Sequence, residues 1–88
     1  MNINKNYVLR QVVGVWTLVP LGEALREFKG MLKLNETGAM LWQGLEAGKT
    51  PEELAQDLVK EFSISPDEAR QDVDAFIENL RSNGCIED

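Results

Sequence analysis

The sequence contains no histidine and a single cysteine, Cys85. Histidine is the commonest general base and the usual partner of a nucleophilic cysteine, so its absence excludes a cysteine–histidine catalytic pair. The usual zinc-ligand sets are missing as well, and one cysteine cannot form a disulfide within the chain. We therefore expect a protein that is not an enzyme and that uses no metal ion or other cofactor.

Long hydrophobic runs are also absent. The apolar stretches are far shorter than the roughly 20 residues that a membrane-spanning helix needs, and Met1 to Asn6 lacks the apolar segment of a signal peptide. The expected location is therefore the cytoplasm, with no membrane partner. A content of 43% apolar and 27% charged residues is ordinary for a globular protein, and the 88 residues are predicted to form one domain, residues 1–88.

Basic residues are scarce in the second half of the chain. Residues 50–88 carry three basic and eleven acidic side chains, whereas residues 1–49 carry six basic and four acidic ones. A nucleic-acid binder normally presents a basic surface that neutralises phosphates. The last predicted helix, Pro66 to Asn83, would be the recognition helix of a DNA-binding protein, yet its net charge is −3. We therefore expect no nucleic-acid partner.

The N-terminal part of the sequence predicts three strands. Tyr7 to Val12 and Val15 to Pro20 are rich in β-branched and aromatic residues, and Val13-Gly14 between them allows the tight turn of a hairpin. A loop with one helical turn, near Glu23 to Phe28, is expected next. The third predicted strand is Met31 to Leu34, and it runs directly into a helix.

Three helices are predicted after these strands. Asn35 is a good N-cap for the first, Glu36 to Ala47. The second begins at the capping box Thr50-Pro51-Glu52-Glu53, and the third at Ser65-Pro66-Asp67-Glu68. Cys85 and Ile86 are expected to dock back as a short extended tail. The order β-β-β-α-α-α predicts an α+β fold that resembles a winged helix-turn-helix, with an N-terminal three-stranded antiparallel sheet followed by three helices.

One edge of the predicted sheet is a candidate binding site. An open edge is a template for strand addition, and the expected edge is Met31 to Leu34. On the third helix, Ile77, Arg70 and Arg81 form a shoulder beside the predicted core stripe of Ala69, Val73, Phe76 and Leu80. This shoulder suits an acidic, amphipathic peptide. The alternative is that Ile77 belongs to the core and that the two arginines pair with Asp74 and Glu78.

The motifs of this sequence resemble those of the PqqD-like family. The junction between the third strand and the first helix reads Leu32-x-Leu34-Asn35-Glu36-Thr37-Gly38-x-x-x-Trp42. Gly48-x-Thr50-x-Glu52-Glu53-Leu54, Asp72-Val73-x-x-Phe76-Ile77-x-x-Leu80 and Gly84-x-Ile86 follow it. The resemblance extends over about residues 7–87, and its most specific part is the segment from Leu34 to Gly38.

This resemblance implies a RiPP recognition element, a non-catalytic peptide chaperone of natural product biosynthesis. Such a domain binds the leader segment of a ribosomally synthesised precursor peptide and presents it to a modifying enzyme, such as a radical-SAM maturase. The leader would add as a strand to the third β-strand and pack against the third helix, while the Leu34 to Gly38 segment has a structural part. The implied peptide-binding residues are Met31, Leu32, Lys33, Leu34, Arg70, Val73, Ile77 and Arg81.

Two other functions stay open at the level of the sequence. One is a DNA-binding winged-helix regulator, although the acidic last helix argues against it. The other is a structural dimerisation module that uses the same edge strand. The expected oligomeric state is accordingly a monomer or a weak homodimer.

Overall fold

The computed structural model describes residues 2–26 and 30–87. Its elements are β1 (Asn2–Ile3), β2 (Tyr7–Val12), β3 (Val15–Pro20), α1 (Glu23–Arg26), β4 (Leu32–Leu34), α2 (Glu36–Glu46), α3 (Pro51–Phe62), α4 (Pro66–Ser82) and β5 (Ile86–Glu87). The α+β class and the predicted succession of three strands and three helices are confirmed. In the part that is described, no helix is long and apolar enough to cross a membrane.

The helical turn expected before β4 is present as α1. It covers Glu23–Arg26, and the rest of the prediction, up to Phe28, lies outside the described residues. β4 begins at Leu32, one residue later than predicted, and α2 ends at Glu46, one residue before its predicted end. These shifts are within the usual uncertainty of element ends.

A tight turn fixes the register of β2 and β3 in the three-stranded sheet. Val13 and Gly14 have φ angles of 51° and 78°, the left-handed pair of a type I′ hairpin, whose twist matches that of the strands. This conformation is strained for a β-branched residue, and the Val13 side chain is 98% exposed. The strands follow the order β2-β3-β4 and are antiparallel, so β4 lies at an edge.

The two ends of the described chain are joined by a second sheet, which the sequence did not predict. β1 pairs with β5, and the main-chain N–H of Asn4 donates to the carbonyl of Cys85 over 2.8 Å. The Asn4 side-chain amide donates to the carbonyl of Gly84 over 3.0 Å. The expected extended tail is therefore one strand of a clasp, which holds the C-terminal end of α4.

The three long helices begin at the predicted N-caps and enclose the core. The side chains of Asn35, Thr50 and Ser65 each accept a main-chain N–H bond in the first turn of their helix. α2 is central, because Leu41 and Trp42 are both buried. The face that α4 buries consists of Ala69, Val73, Ile77 and Leu80, whereas Phe76 is only half-buried. The predicted core stripe was therefore wrong in including Phe76 and in placing Ile77 on its shoulder.

Candidate functional site

The main chain of β3 bonds alternately to its two neighbouring strands. The two-residue turn makes Val12 and Val15 a hydrogen-bonded pair, and every second residue of β3 after Val15 then bonds to β2. Pro20, which has no N–H to donate, is one of the residues of β3 that do not bond to β2. The intervening residues Trp16 and Leu18 therefore direct their main-chain groups towards β4.

The main-chain groups of Lys33 face the free edge of β4. Leu34 lies opposite Trp16 and Leu32 lies opposite Leu18, so these two leucines are the hydrogen-bonded partners of β3. Lys33 lies between them, and its N–H and C=O point away from the sheet. This edge therefore offers one donor and one acceptor to an added strand.

The side chains of β4 alternate between the core and solvent. Leu34 is buried and Leu32 is half-buried, whereas Lys33 is exposed. Met31, which directly precedes β4, is 62% exposed, an unusual position for a large apolar side chain next to a free strand edge. The edge thus combines unpaired main-chain groups with accessible apolar surface.

α4 runs alongside β4 in the opposite direction. The Phe76 ring lies against Gly38, which is itself next to Leu34 at the end of β4. Near its start, Gly30 and Met31 share a cavity of about 240 Å³ with Ser82 and Asn83 at the end of α4. We call this space the β4–α4 groove, with the free edge of β4 as one wall and Phe76, Ser82 and Asn83 on the other.

The four helix residues named from the sequence do not form the wall of this groove. Val73 is 0% exposed and Ile77 is 6% exposed, so both lie in the core. The Arg70 guanidinium donates to Asp74 over 3.0 Å, and the Arg81 guanidinium donates to Glu78 over 2.7 Å. In the unbound chain, the arrangement is therefore the alternative considered above, with a buried isoleucine and arginines paired along α4.

Arg70 also lines a second, separate groove. This cavity of about 670 Å³ lies between α3 and α4 and is bordered by Glu52, Ala55, Gln56, Val59, Lys60, Pro66 and Arg70. None of these residues belongs to β4. The structure therefore brings Met31 to Leu34 together with one end of α4, and it places Arg70 on a different surface.

The helix residues that do adjoin β4 were missed by sequence reasoning. Phe76 and Asn83 lie on the shoulder of α4 opposite to Arg70 and Arg81, since residues seven apart share one side of a helix. A helical pattern identifies two shoulders beside a core stripe, but it does not say which of them faces a sheet. The sequence feature that could have indicated the correct shoulder is Phe76, an aromatic residue at the margin of the predicted stripe.

The described residues offer no site for metal chemistry. No group of three or more histidine, cysteine, aspartate or glutamate side chains among residues 2–26 and 30–87 is arranged to hold a metal ion. Cys85 is buried and forms no disulfide, and its Sγ lies 3.8 Å from the carbonyl oxygen of Asn83.

Two solved structures share this fold along nearly the whole chain. One, described as TbiB1 in complex with the TbiA(beta) leader peptide, has a TM-score of 0.82 and 24% identity, over 99% of this chain and 95% of that one. The other, a lasso peptide synthetase B1 complexed with the leader peptide, has a TM-score of 0.78 and 24% identity, over 94% and 92%.

The sequence itself carries the signature of one family. None of the curated proteins compared with it matches at a significant level. The family model described as coenzyme PQQ synthesis protein D (PqqD), however, matches residues 14–86, which include β3, β4 and all three long helices. The chain therefore belongs to the PqqD family.

Proposed function

We propose that this protein recognises the leader segment of a ribosomally synthesised precursor peptide and catalyses no reaction itself. The observation that carries the proposal is the free edge of β4, where the N–H and C=O of Lys33 point away from the sheet. Membership of the PqqD family supports it. Further support comes from the two similar structures, each described as a complex with a leader peptide.

The leader would bind as a fourth strand beside β4. Main-chain bonds to Lys33 would supply affinity that does not depend on side chains, and the β4–α4 groove would supply selectivity. Apolar leader side chains that point inward would contact Leu32, Met31 and Phe76. Leu34, Val73 and Ile77 are buried and would contribute indirectly. Their packing would set the distance between the strand and the helix.

Arg70 and Arg81 have a peripheral part in this proposal. Their ion pairs are exposed and of the kind that contributes little to stability, about 0 to 1 kcal/mol. Either arginine is therefore able to exchange its partner within α4 for a carboxylate of a bound peptide at small cost. Arg70 would do so only for a peptide that extends beyond the β4–α4 groove.

The bound leader would be presented to a modifying enzyme, such as a radical-SAM maturase. A protein that holds the precursor and also contacts the enzyme raises the local concentration of substrate, typically to the millimolar range for short flexible connections. This role needs no catalytic group in the chain itself. Because precursors of this kind are made by ribosomes, the proposed place of action is the cytoplasm.

A displayed library of random twelve-residue peptides tests this function. The proposal expects enrichment of peptides that bind the wild-type chain. With an enriched peptide bound, the amide proton of Lys33 should exchange with solvent at least tenfold more slowly, as measured by NMR, while that of Val13 at the hairpin tip is unchanged. Failure to enrich any peptide, or enriched peptides that leave Lys33 unprotected, would contradict the proposal.

The same edge also supports a second candidate, self-association. Two β4 edges from two copies of the chain would pair in the same way as a guest strand. Light scattering over a concentration series from 10 µM to 1 mM separates the two functions. A monomer that binds peptide favours leader recognition, whereas a dimer that dissociates on mutation of β4 and binds no peptide favours a dimerisation module.

A further inference from the structure

One row of side chains crosses the outer face of the sheet, the face turned away from the core. Arg10 of β2 lies opposite Thr17 of β3, which in turn lies opposite Lys33 of β4. Arg10 and Lys33 are exposed, while Thr17 between them is only 3% exposed. The row therefore places positive charge on both sides of a neutral residue and ends at the free edge.

Lys33 has no ion pair within the described part of the chain. The four ion pairs there join Arg26 to Glu23, Lys49 to Asp57, Arg70 to Asp74, and Arg81 to Glu78. The next position in the row, beyond Lys33, would be occupied by a residue of the added strand. Residues directly opposite on one face of a sheet lie close enough for their side chains to interact.

The opposite face of an added strand meets a different environment. Its inward side chains would face Leu32, Phe76 and α4, and the sequence of α4 carries a net charge of −3. An inward carboxylate would be repelled there and would lose its hydration, whereas an inward apolar side chain would be buried. An outward carboxylate would meet Lys33. The two faces of the added strand thus favour side chains of opposite character.

We infer that the peptide bound at β4 carries an aspartate or glutamate opposite Lys33, between two apolar residues that point inward. This inference rests on the proposed function and specifies the sequence that it selects. Opposite charges at a cross-strand position favour binding up to about fivefold over a neutral pair. Lys33 is thus a specificity-determining residue of the edge.

A lysine on an edge strand also has a simpler use, since charge at a free edge discourages aggregation. That use predicts no preference for any residue of a bound peptide. The preference among bound sequences therefore separates the two uses of Lys33.

The test repeats the peptide selection with Lys33→Glu, Lys33→Gln and a matched control, Lys60→Glu. Lys60 is exposed on α3 and its substitution changes the net charge equally. The wild type and Lys60→Glu should enrich an acidic residue at one position between two apolar ones. Lys33→Glu should enrich lysine or arginine at that position, and Lys33→Gln should show no charge preference there.

The outcomes of this test distinguish failure of the inference about Lys33 from failure of the proposed leader recognition. Peptides that protect the Lys33 amide but show the same charge preference in the wild type and in Lys33→Glu would overturn the inference and leave leader recognition standing. Selection of no peptide by any variant would overturn both. For one selected acidic peptide, Lys33→Glu should weaken binding at least fivefold and Lys60→Glu less than twofold.

Discussion

Gly38 and Phe76 are in such close contact that a side chain at residue 38 would crowd the aromatic ring. A Cβ atom at residue 38 would stand 3.2 Å from Cε1 of Phe76, and 3.3 Å from both the Leu34 Cβ and the Asn35 Oδ1. This one position therefore joins β4, the start of α2 and the middle of α4. Leu34 and Gly38, the two ends of the most specific segment of the sequence, therefore both lie where these three elements meet.

Replacement of Gly38 by alanine should destabilise the fold by about 1 kcal/mol. Alanine is intrinsically better in a helix by about 1 kcal/mol, but overpacking typically costs about 1 to 3 kcal/mol, and the Leu34 Cβ is attached directly to the backbone. Urea denaturation measures the change in the free energy of unfolding. Gly30→Ala is the control, because a Cβ there meets no atom within 4 Å.

The double variant Gly38→Ala with Phe76→Leu tests the contact itself. The smaller leucine side chain should relieve part of the crowding, so the two substitutions together should cost less than the sum of their separate effects. Strict additivity would show that Gly38 and Phe76 do not determine each other's position.

The cap at Asn35 should matter for peptide binding as well as for stability. The Asn35 Oδ1 accepts the main-chain N–H of Gly38 over 2.7 Å, and loss of such a cap costs about 1 kcal/mol. Ser65→Ala removes the equivalent cap of α4, where the Ser65 hydroxyl accepts the N–H of Glu68 over 3.1 Å. By calorimetry with a selected peptide, Asn35→Ala should weaken binding more than Ser65→Ala does. Equal losses of affinity would contradict a positioning part for Asn35.

The clasp between the two ends of the chain should stabilise the far end of the β4–α4 groove. The Asn4 side chain donates to Gly84 and accepts the N–H of Asn6 over 2.9 Å. Asn4→Ala removes both bonds and should lower the free energy of unfolding by about 1 to 2 kcal/mol. Thermal unfolding followed by circular dichroism measures this change, and Asn2→Ala, at an exposed position of β1, is the control. An unchanged melting temperature in Asn4→Ala would contradict the assigned role of the clasp.

The helices and the hairpin were predictable because their signals are local. Val13-Gly14 specifies a two-residue turn, and the side chains of Asn35, Thr50 and Ser65 cap the helices that follow them. Each of these signals lies within a few residues of the element that it starts. The succession of elements, and hence the fold class, follows from such signals alone.

The clasp and the wall of the groove could not be predicted in the same way. β1 and β5 have only two residues each, too few for an alternating pattern, and their pairing joins opposite ends of the chain. The orientation of α4 about its own axis depends on long-range packing, which exchanged the expected positions of Phe76 and Ile77. The predicted strand residues lie at an edge as expected. The residues of α4 that adjoin this edge could be identified only from the structure.

DNA should not bind to this chain at physiological salt. α4 exposes Asp67, Glu68, Asp72, Asp74 and Glu78, and the two arginines of this helix are both paired within it. Favourable binding to a duplex would require release of counterions by basic residues that neutralise phosphates. A gel-shift assay with random 30-base-pair DNA and 50 µM protein at 150 mM salt should show no retained complex. A retained complex would instead support the hypothesis of a DNA-binding winged-helix regulator.

The central claim is that an extended peptide bonds to the main chain of Lys33. Lys33→Pro removes the outward N–H but none of the bonds that Leu32 and Leu34 make with β3, so the sheet should remain folded. Lys33→Gln, which keeps the N–H and removes the charge, is the matched control. Calorimetry with a selected peptide should show at least tenfold weaker binding to Lys33→Pro than to Lys33→Gln, with both variants folded. Equal affinities of the two folded variants would contradict strand addition at β4.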